Sequence, residues 1–103
     1  MPTLQYISDH LGENLKTEEL AKAFFVSRDK LNRDFRVYTG MSVRDFITLS
    51  RLNLSKHLLS TSKLTVRQIS ERCGFENEIY FYSFFKKHTG STPREYLSER
   101  MNS

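Results

Sequence analysis

Apolar positions recur along this chain at intervals of three and four, in short runs that open at a hydroxyl or amide side chain and close at a glycine. That is the pattern of helices rather than strands. Over residues 3–11, Leu4, Ile7 and Leu11 share one side before Gly12, which predicts a first helix of about two and a half turns covering a core. Over 15–25, Leu20, Ala21 and Phe24 face one way. Glu18 and Glu19 fall in the first turn, where the helix dipole favours negative charge, and Thr17 is the expected cap. Ser27 caps a helix over 28–38 that sets Leu31, Phe35 and Tyr38 against Asp29, Asn32, Arg33 and Arg36, and Thr39-Gly40 ends it. Ser42, with Asp45 three residues on, opens a longer helix to about residue 60 with Val43, Phe46, Ile47, Leu54, Leu58 and Leu59 available for burial. At about 1.5 Å per residue it would be roughly 27 Å long.

A polar connector, 60–63, leads into the most informative stretch, Leu64 to Leu97. Thr65 and Gln68 have the spacing of a capping box, so a helix is expected to start there, with Val66, Ile69 and Cys73 on its apolar face and Gly74 at the turn. Asn77 caps a second helix. Its inner face is aromatic (Phe81, Phe84, Phe85, with His88), and Glu78, Ile79, Tyr82, Ser83 and Lys86 form another face. Thr89-Gly90 ends it, and Thr92-Pro93-Arg94-Glu95 combines an N-cap hydroxyl, a proline at the first helical position and a glutamate reaching back. Two short helices joined by a tight glycine turn outline a helix-turn-helix. The final residues, 100–103, continue no pattern and are expected to fray.

The chain repeats itself. An offset of 50 aligns Leu31 with Phe81, Phe35 with Phe85, Thr39-Gly40 with Thr89-Gly90, Ser42 with Thr92, Arg44 with Arg94, Asp45 with Glu95, Phe46 with Tyr96 and Ile47 with Leu97. Before each turn the offset is 49, Leu15 with Leu64 and Leu20 with Ile69, so the second turn holds one extra residue. The expected organisation is one all-α domain over 1–103 of about seven helices: a first helix-turn-helix unit at 1–41, a linker helix at 42–60 and a second unit at 61–103. A helical linker would hold the two units at a fixed separation, unlike a Gly/Ser segment.

Composition narrows the function classes. A chain of 103 residues supports a single core, and eight Phe with five Tyr can fill it without metal or disulfide support. One Cys makes no internal bridge, no charged-then-apolar leader is visible, and no apolar run approaches the ~20 residues of a membrane span, so a reducing cytoplasm is the expected location. A net charge of +4 and a pI near 9.4 favour an acidic partner. His10, His57 and His88 lie on different helices without ligand spacing, so no metal is expected. Cys73 reads as a packed thiol. No nucleophile, base and orienting acid assemble, and there is no glycine-rich phosphate loop, so neither an enzyme nor a cofactor is expected.

The segment Ile69-Ser70-Glu71-Arg72-Cys73-Gly74-Phe75, with Tyr80-Phe81, Phe84-Phe85-Lys86-Lys87, Thr89-Gly90 and Thr92-Pro93-Arg94-Glu95-Tyr96-Leu97, resembles the signature of AraC-type transcription regulators. Leu20-Ala21, Ser27, Leu31, Phe35, Thr39-Gly40-Met41-Ser42, Phe46-Ile47 and Arg51-Leu52 are similar to the family's first half. Phe25 departs from it where a turn glycine is usual, Ser55 and Ser70 where alanine is frequent, and Lys16 where a capping Ser or Thr is common. The resemblance implies a bacterial, cytoplasmic, sequence-specific duplex-DNA-binding domain that places two recognition helices in successive major grooves. It also implies RNA polymerase as a partner, and a sensor or receiver domain outside this chain. Met1-Pro2 followed at once by helix fits a small stand-alone regulator or an excised fragment, and activation and repression are not distinguished.

In a helix-turn-helix the exposed N-terminal part of the second helix meets base edges. The candidate DNA-binding residues are therefore Arg28, Asp29, Asn32, Arg33 and Arg36 in the first unit, and Glu78, Ile79, Tyr82, Ser83, Lys86 and Lys87 in the second. Arg33 suits guanine O6/N7, Asn32 suits adenine N6/N7, and Ile79 or Tyr82 suits a thymine methyl. Arg36, Lys86 and Lys87 sit where phosphates are expected. Glu78 either accepts from a cytosine amine or simply favours the helix N-terminus. Each has a plainer reading: the Arg28–Arg36 face as a solvated charged surface, and Ile79 and Tyr82 as packing residues. Arg51 is equally suited to an acidic side chain and to phosphate. The competing class is a helical protein-interaction module whose basic faces meet an acidic partner.

Overall fold

The computed structural model describes residues 2–101, with side chains placed up to residue 98. Seven helices follow one another: α1 (Pro2–Asp9), α2 (Thr17–Ala23), α3 (Arg28–Thr39), α4 (Val43–Thr61), α5 (Val66–Arg72), α6 (Glu78–Thr89) and α7 (Pro93–Met101), and there is no strand among the described residues. The chain divides into two compact units, residues 1–50 and 51–103. The division falls inside α4, whose first turns belong to one unit and last turns to the other, whereas the expected boundaries lie near the ends of that helix. Among the described residues no helix is long and apolar enough to cross a membrane, and no group of His, Cys, Asp and Glu could hold a metal ion.

In the first unit the core is Ile7, Leu11, Leu20, Ala21, Leu31, Phe35, Val43 and Ile47. Phe35 is fully buried and meets the Phe46 ring edge-on at 5.5 Å. Burying such a ring contributes about 1.5–3 kcal/mol, so the Leu31/Phe35 pair, four residues apart, decides which side of α3 turns inward. In the second unit Leu52, Leu59, Ile69, Cys73, Phe75, Phe81 and Phe85 form the core. The pattern passed over Phe75, which proves to be its hub: the ring lies 5.1 Å from Phe81 and 4.8 Å from Phe84.

The caps show why the helices start where they do. Ser27 accepts from the Lys30 N–H at 3.1 Å and Asn77 from the Tyr80 N–H at 2.7 Å. Thr65 and Gln68 complete the expected capping box, and Thr92 and Glu95 make the same reciprocal pair at 3.1 and 3.4 Å. Three expectations are corrected. Thr17 is the first residue of α2, not its cap; Lys16 holds the cap position in extended backbone and caps with no side-chain bond. Tyr38 is 70% exposed instead of packed, because α3 is already covered at Leu31 and Phe35 and its last turn projects beyond the core. His88 is likewise exposed, with its ring resting on Phe84 at 4.6 Å. The helix α7 runs through Met101, and the rest of the segment expected to fray, residues 102–103, lies outside the described residues.

The two turns have one geometry and different residues. The Gly74 N–H donates to the Glu71 carbonyl and the Phe75 N–H to that of Ser70; Phe25 and Val26 make the equivalent bonds to Lys22 and Ala21. This six-to-one and short-bond pairing needs a left-handed residue at the turn. Gly74 takes φ 86° without a Cβ penalty, but Phe25 takes φ 58° with a full side chain that is 95% exposed. Phe25→Gly should therefore stabilise the domain by about 1 kcal/mol, seen as a melting temperature raised by about 4–8 °C, since little packing is lost with the ring. An unchanged or lowered melting temperature would show that Phe25 carries a packing role that its exposure does not reveal.

Burial also governs the single thiol. It pushes the Cys73 pKa up to about 11, partly offset by the nearby positive charge of Arg51. Because the thiolate is the nucleophile, alkylation of the native protein at pH 8 should run at least about a hundredfold slower than in denaturant. Equal rates in the two conditions would mean that the second unit opens readily.

Candidate nucleic-acid interface

Each unit contains a short helix, a tight turn and a longer helix held by its aromatic face. From residue 31 to 46 and from 81 to 96 the sequence of buried, half-buried and exposed positions is the same at every step. Thr39 and Thr89 end the longer helices alike, donating to the carbonyls of Phe35 and Phe85 at 2.7 and 2.8 Å, while Gly40 and Gly90 turn left-handed at φ 79° and 84°. The long helices are thus fixed in their own units in the same way. What differs is what their outer faces carry.

On α3, Arg28, Asp29, Arg33 and Arg36 are exposed. The side chains of Arg33 and Arg36 make no hydrogen bond or ion pair with the described residues, so their guanidinium donors are available to a ligand. Arg28 Nη1 lies 3.4 Å from Glu18 Oε1, and Asp29 sits in the first turn with the favourable end of the helix dipole. Lys30 is tied to Asp34 at 3.0 Å on the flank of the face. Asn32 is half-buried and turned toward the protein: its Oδ1 accepts from the Val43 N–H at 3.1 Å. This bond satisfies one of the donors that the start of α4 leaves unpaired. It also occupies the oxygen that a bidentate contact to adenine would use.

On α6, Ile79 is 80% exposed, an arrangement that does not repay burial and leaves an apolar group facing water. Ser83, Lys86 and Lys87 are exposed, while Glu78 and Tyr82 are half-buried. Glu78 and Ile79 line a groove with Arg67 and Glu71 of α5, and Arg67 Nε is 3.6 Å from Glu71 Oε1. The first face presents three guanidinium groups and one carboxylate, and the second two ammonium groups and one carboxylate. Arg51, on α4, is half-buried beside Cys73, and burial lowers its pKa. It lies outside both faces.

The pattern of spacing could not separate Asn32 from its exposed neighbours. One signal was available: residue 43 has an N–H to satisfy, whereas its counterpart Pro93 has none, and at the position matching Asn32 the second unit has Tyr82. Asn32→Ala should cost about 1–2 kcal/mol in urea unfolding, because the Val43 N–H loses its partner. Asn32→Asp, which keeps the acceptor, should retain most of the stability. Equal losses in the two variants would contradict the capping role.

Known proteins match both the sequence and the arrangement. Residues 20–99 match the model of a family described as a helix-turn-helix domain. The chain is 36% identical over 93 residues to the arabinose operon regulatory protein of Escherichia coli K12, covering 89% of this chain and 32% of that protein. It is 32% identical over 93 residues to the xylose operon regulatory protein of the same strain, covering 90% of this chain and 24% of that protein. The chain therefore spans a third or less of these curated relatives. Among solved structures, the C-terminal domain of AraT, a response regulator from Geobacillus stearothermophilus, superposes with a TM-score of 0.89 at 30% identity, over 95% of this chain and 82% of that one. The DNA-binding domain of AdpA, a global transcriptional factor crystallised with a target DNA, superposes with a TM-score of 0.87 at 28% identity, over 95% and 88%.

Proposed function

The chain belongs to the AraC-type helix-turn-helix transcription regulators, a DNA-binding and not an enzyme family, and from that premise we propose that α3 and α6 are its two recognition helices, each entering a major groove of duplex DNA. The observation that carries this is the exposed surface of α3: Arg33 lies on the side away from fully buried Phe35, Arg36 flanks it, and Arg28 is exposed at the helix N-terminus. A helix anchored on one side by aromatic packing presents its other side in a fixed orientation, and guanidinium groups in the first turns are placed to reach base edges.

Within that reading Arg33 bridges guanine O6 and N7, and Arg28 meets an acceptor-bearing base edge. Asp29 restrains the face from indiscriminate phosphate binding, and Arg36 neutralises phosphate. On α6, Ile79 and Tyr82 contact thymine methyl groups, Ser83 bonds to a base or sugar, and Lys86 and Lys87 hold phosphates. Asn32 acts indirectly, by tying α3 to the start of α4. The two units, joined through α4, act together as one DNA-binding domain over 1–103. The remaining parts of the reading rest on family: the cytoplasm as location, RNA polymerase as protein partner, and a sensor or receiver domain beyond this chain, as the response-regulator origin of AraT suggests.

The two classes of contact separate by mutation. Arg33→Ala should lose about 1–3 kcal/mol of discrimination at one base pair and little on random duplex. Lys86→Ala should weaken all duplexes alike and reduce the salt slope by about one. Anisotropy titrations over a range of salt distinguish them. Equal losses on specific and random DNA for both variants would remove Arg33 from base reading, and no binding to random duplex at micromolar protein in low salt would favour an acidic protein as the partner instead.

A further inference from the structure

The offset of 49 that aligns α2 with α5 places Glu18 opposite Arg67 and Lys22 opposite Glu71, and the offset of 50 places Arg28 opposite Glu78. At all three places the sign of the charge is reversed. In the first unit Glu18, in the first turn of α2, reaches Arg28, the first residue of α3, at 3.4 Å. In the second, Arg67 and Glu78 line one groove, with Arg67 held 3.6 Å from Glu71. The positions that frame the entry of each recognition helix are thus shared, and their polarity is exchanged.

The Glu18–Arg28 pair is exposed and contributes little to stability. Its effect is on orientation. A free arginine samples many rotamers and must be ordered on binding, whereas a carboxylate that takes one edge of the guanidinium leaves the remaining N–H groups of that planar fork pointing one way. We propose that Glu18 is the positioning residue for Arg28, and that at the equivalent place in the second unit Glu78, which lines a groove with Arg67, carries the exchanged charge. The first recognition helix then selects at its entry a base that presents acceptors, guanine, and the second selects one that presents an amine donor, cytosine. This rests on α3 and α6 being recognition helices, as proposed above. It adds that the two units select opposite hydrogen-bonding edges at equivalent positions, so that their half-sites are not interchangeable.

The test is a panel of duplexes that each change one base pair of a sequence selected from a random pool by the unaltered protein, titrated by anisotropy against Glu18→Gln, Arg28→Ala and Glu78→Gln. For the unaltered protein, changing the G·C pair met by Arg28 should weaken binding about tenfold. Arg28→Ala should abolish that ratio. Glu18→Gln should reduce it to about threefold while affinity for random duplex rises, because a carboxylate near phosphate is gone, and the ratios at other positions should hold. Glu78→Gln should flatten the ratio at a separate C·G pair. A merely structural Glu18 would instead lower specific and random binding together. If Arg28→Ala removes the ratio and Glu18→Gln leaves it intact, the positioning role is overturned and base reading stands. If Arg28→Ala leaves every ratio unchanged, the base-reading assignment falls, and the positioning role with it. No effect of Glu78→Gln at any position would overturn the exchanged polarity.

Discussion

Everything that the two exposed helix faces can do depends on one kind of contact, the burial of two residues four apart on the opposite side of the same helix. Leu31 and Phe35 in α3, and Phe81 and Phe85 in α6, have almost no exposure. The aromatic rings are too large to be covered in more than one rotation of the helix, so they fix the azimuth of every other side chain on it. A ring from the following helix reinforces this in each unit, Phe46 against Phe35 and Tyr96 against Phe85, edge-on at 5.5 and 5.3 Å. A recognition helix must hold base-contacting groups to within a fraction of an ångström, and a short isolated helix could not hold itself. Tertiary packing supplies that rigidity.

The repeat then shows which differences the scaffold tolerates and on what terms. Where Val43 offers an N–H, Asn32 accepts from it; where Pro93 offers none, Tyr82 replaces the amide. Lys30 and Asp34 pair across one turn of α3, and their counterparts Tyr80 and Phe84 both pack against Phe75. The two solutions use opposite chemistry for one geometric requirement, the closing of the helix flank. Phe25 is the substitution without such a compensation: it keeps the left-handed turn of Gly74 and the same two backbone bonds, with the strain retained and the ring in water.

Legibility followed the same division. Helix order, caps at Ser27, Thr65 and Asn77 and the buried pairs were readable because each rests on local spacing and on side-chain types with one strong preference. Tyr38 and His88 were misplaced because periodicity marks a side of a helix but not how far along it the core extends. Thr17 was misread as a cap because its side chain suits the role, while the backbone enters the helix one residue earlier. On the candidate face, exposure of Arg33 and Arg36 could be inferred from the positions of Leu31 and Phe35, and that of Arg28, in register with Phe35, only from its place at the helix N-terminus. The engagement of Asn32 could not, since its partner Val43 lies eleven residues away on another helix.

These limits bear on where sequence specificity resides. The second unit has the better-formed motif, with an ideal turn glycine, a complete capping box and a ring cluster around Phe75. Yet its outer face carries Ile79 and Ser83 where the first carries Asp29 and Arg33. An apolar contact with a thymine methyl discriminates less than a bidentate hydrogen-bonded pair, because a mismatched guanidinium leaves charged donors unsatisfied and a mismatched isoleucine leaves nothing unsatisfied. The quality of a fold and the chemistry of its surface are therefore separable: identical burial from 31 to 46 and from 81 to 96 supports outer faces of unequal hydrogen-bonding capacity. The less regular first unit, strained at Phe25 and pinned through Asn32, carries the groups best suited to tell one base pair from another.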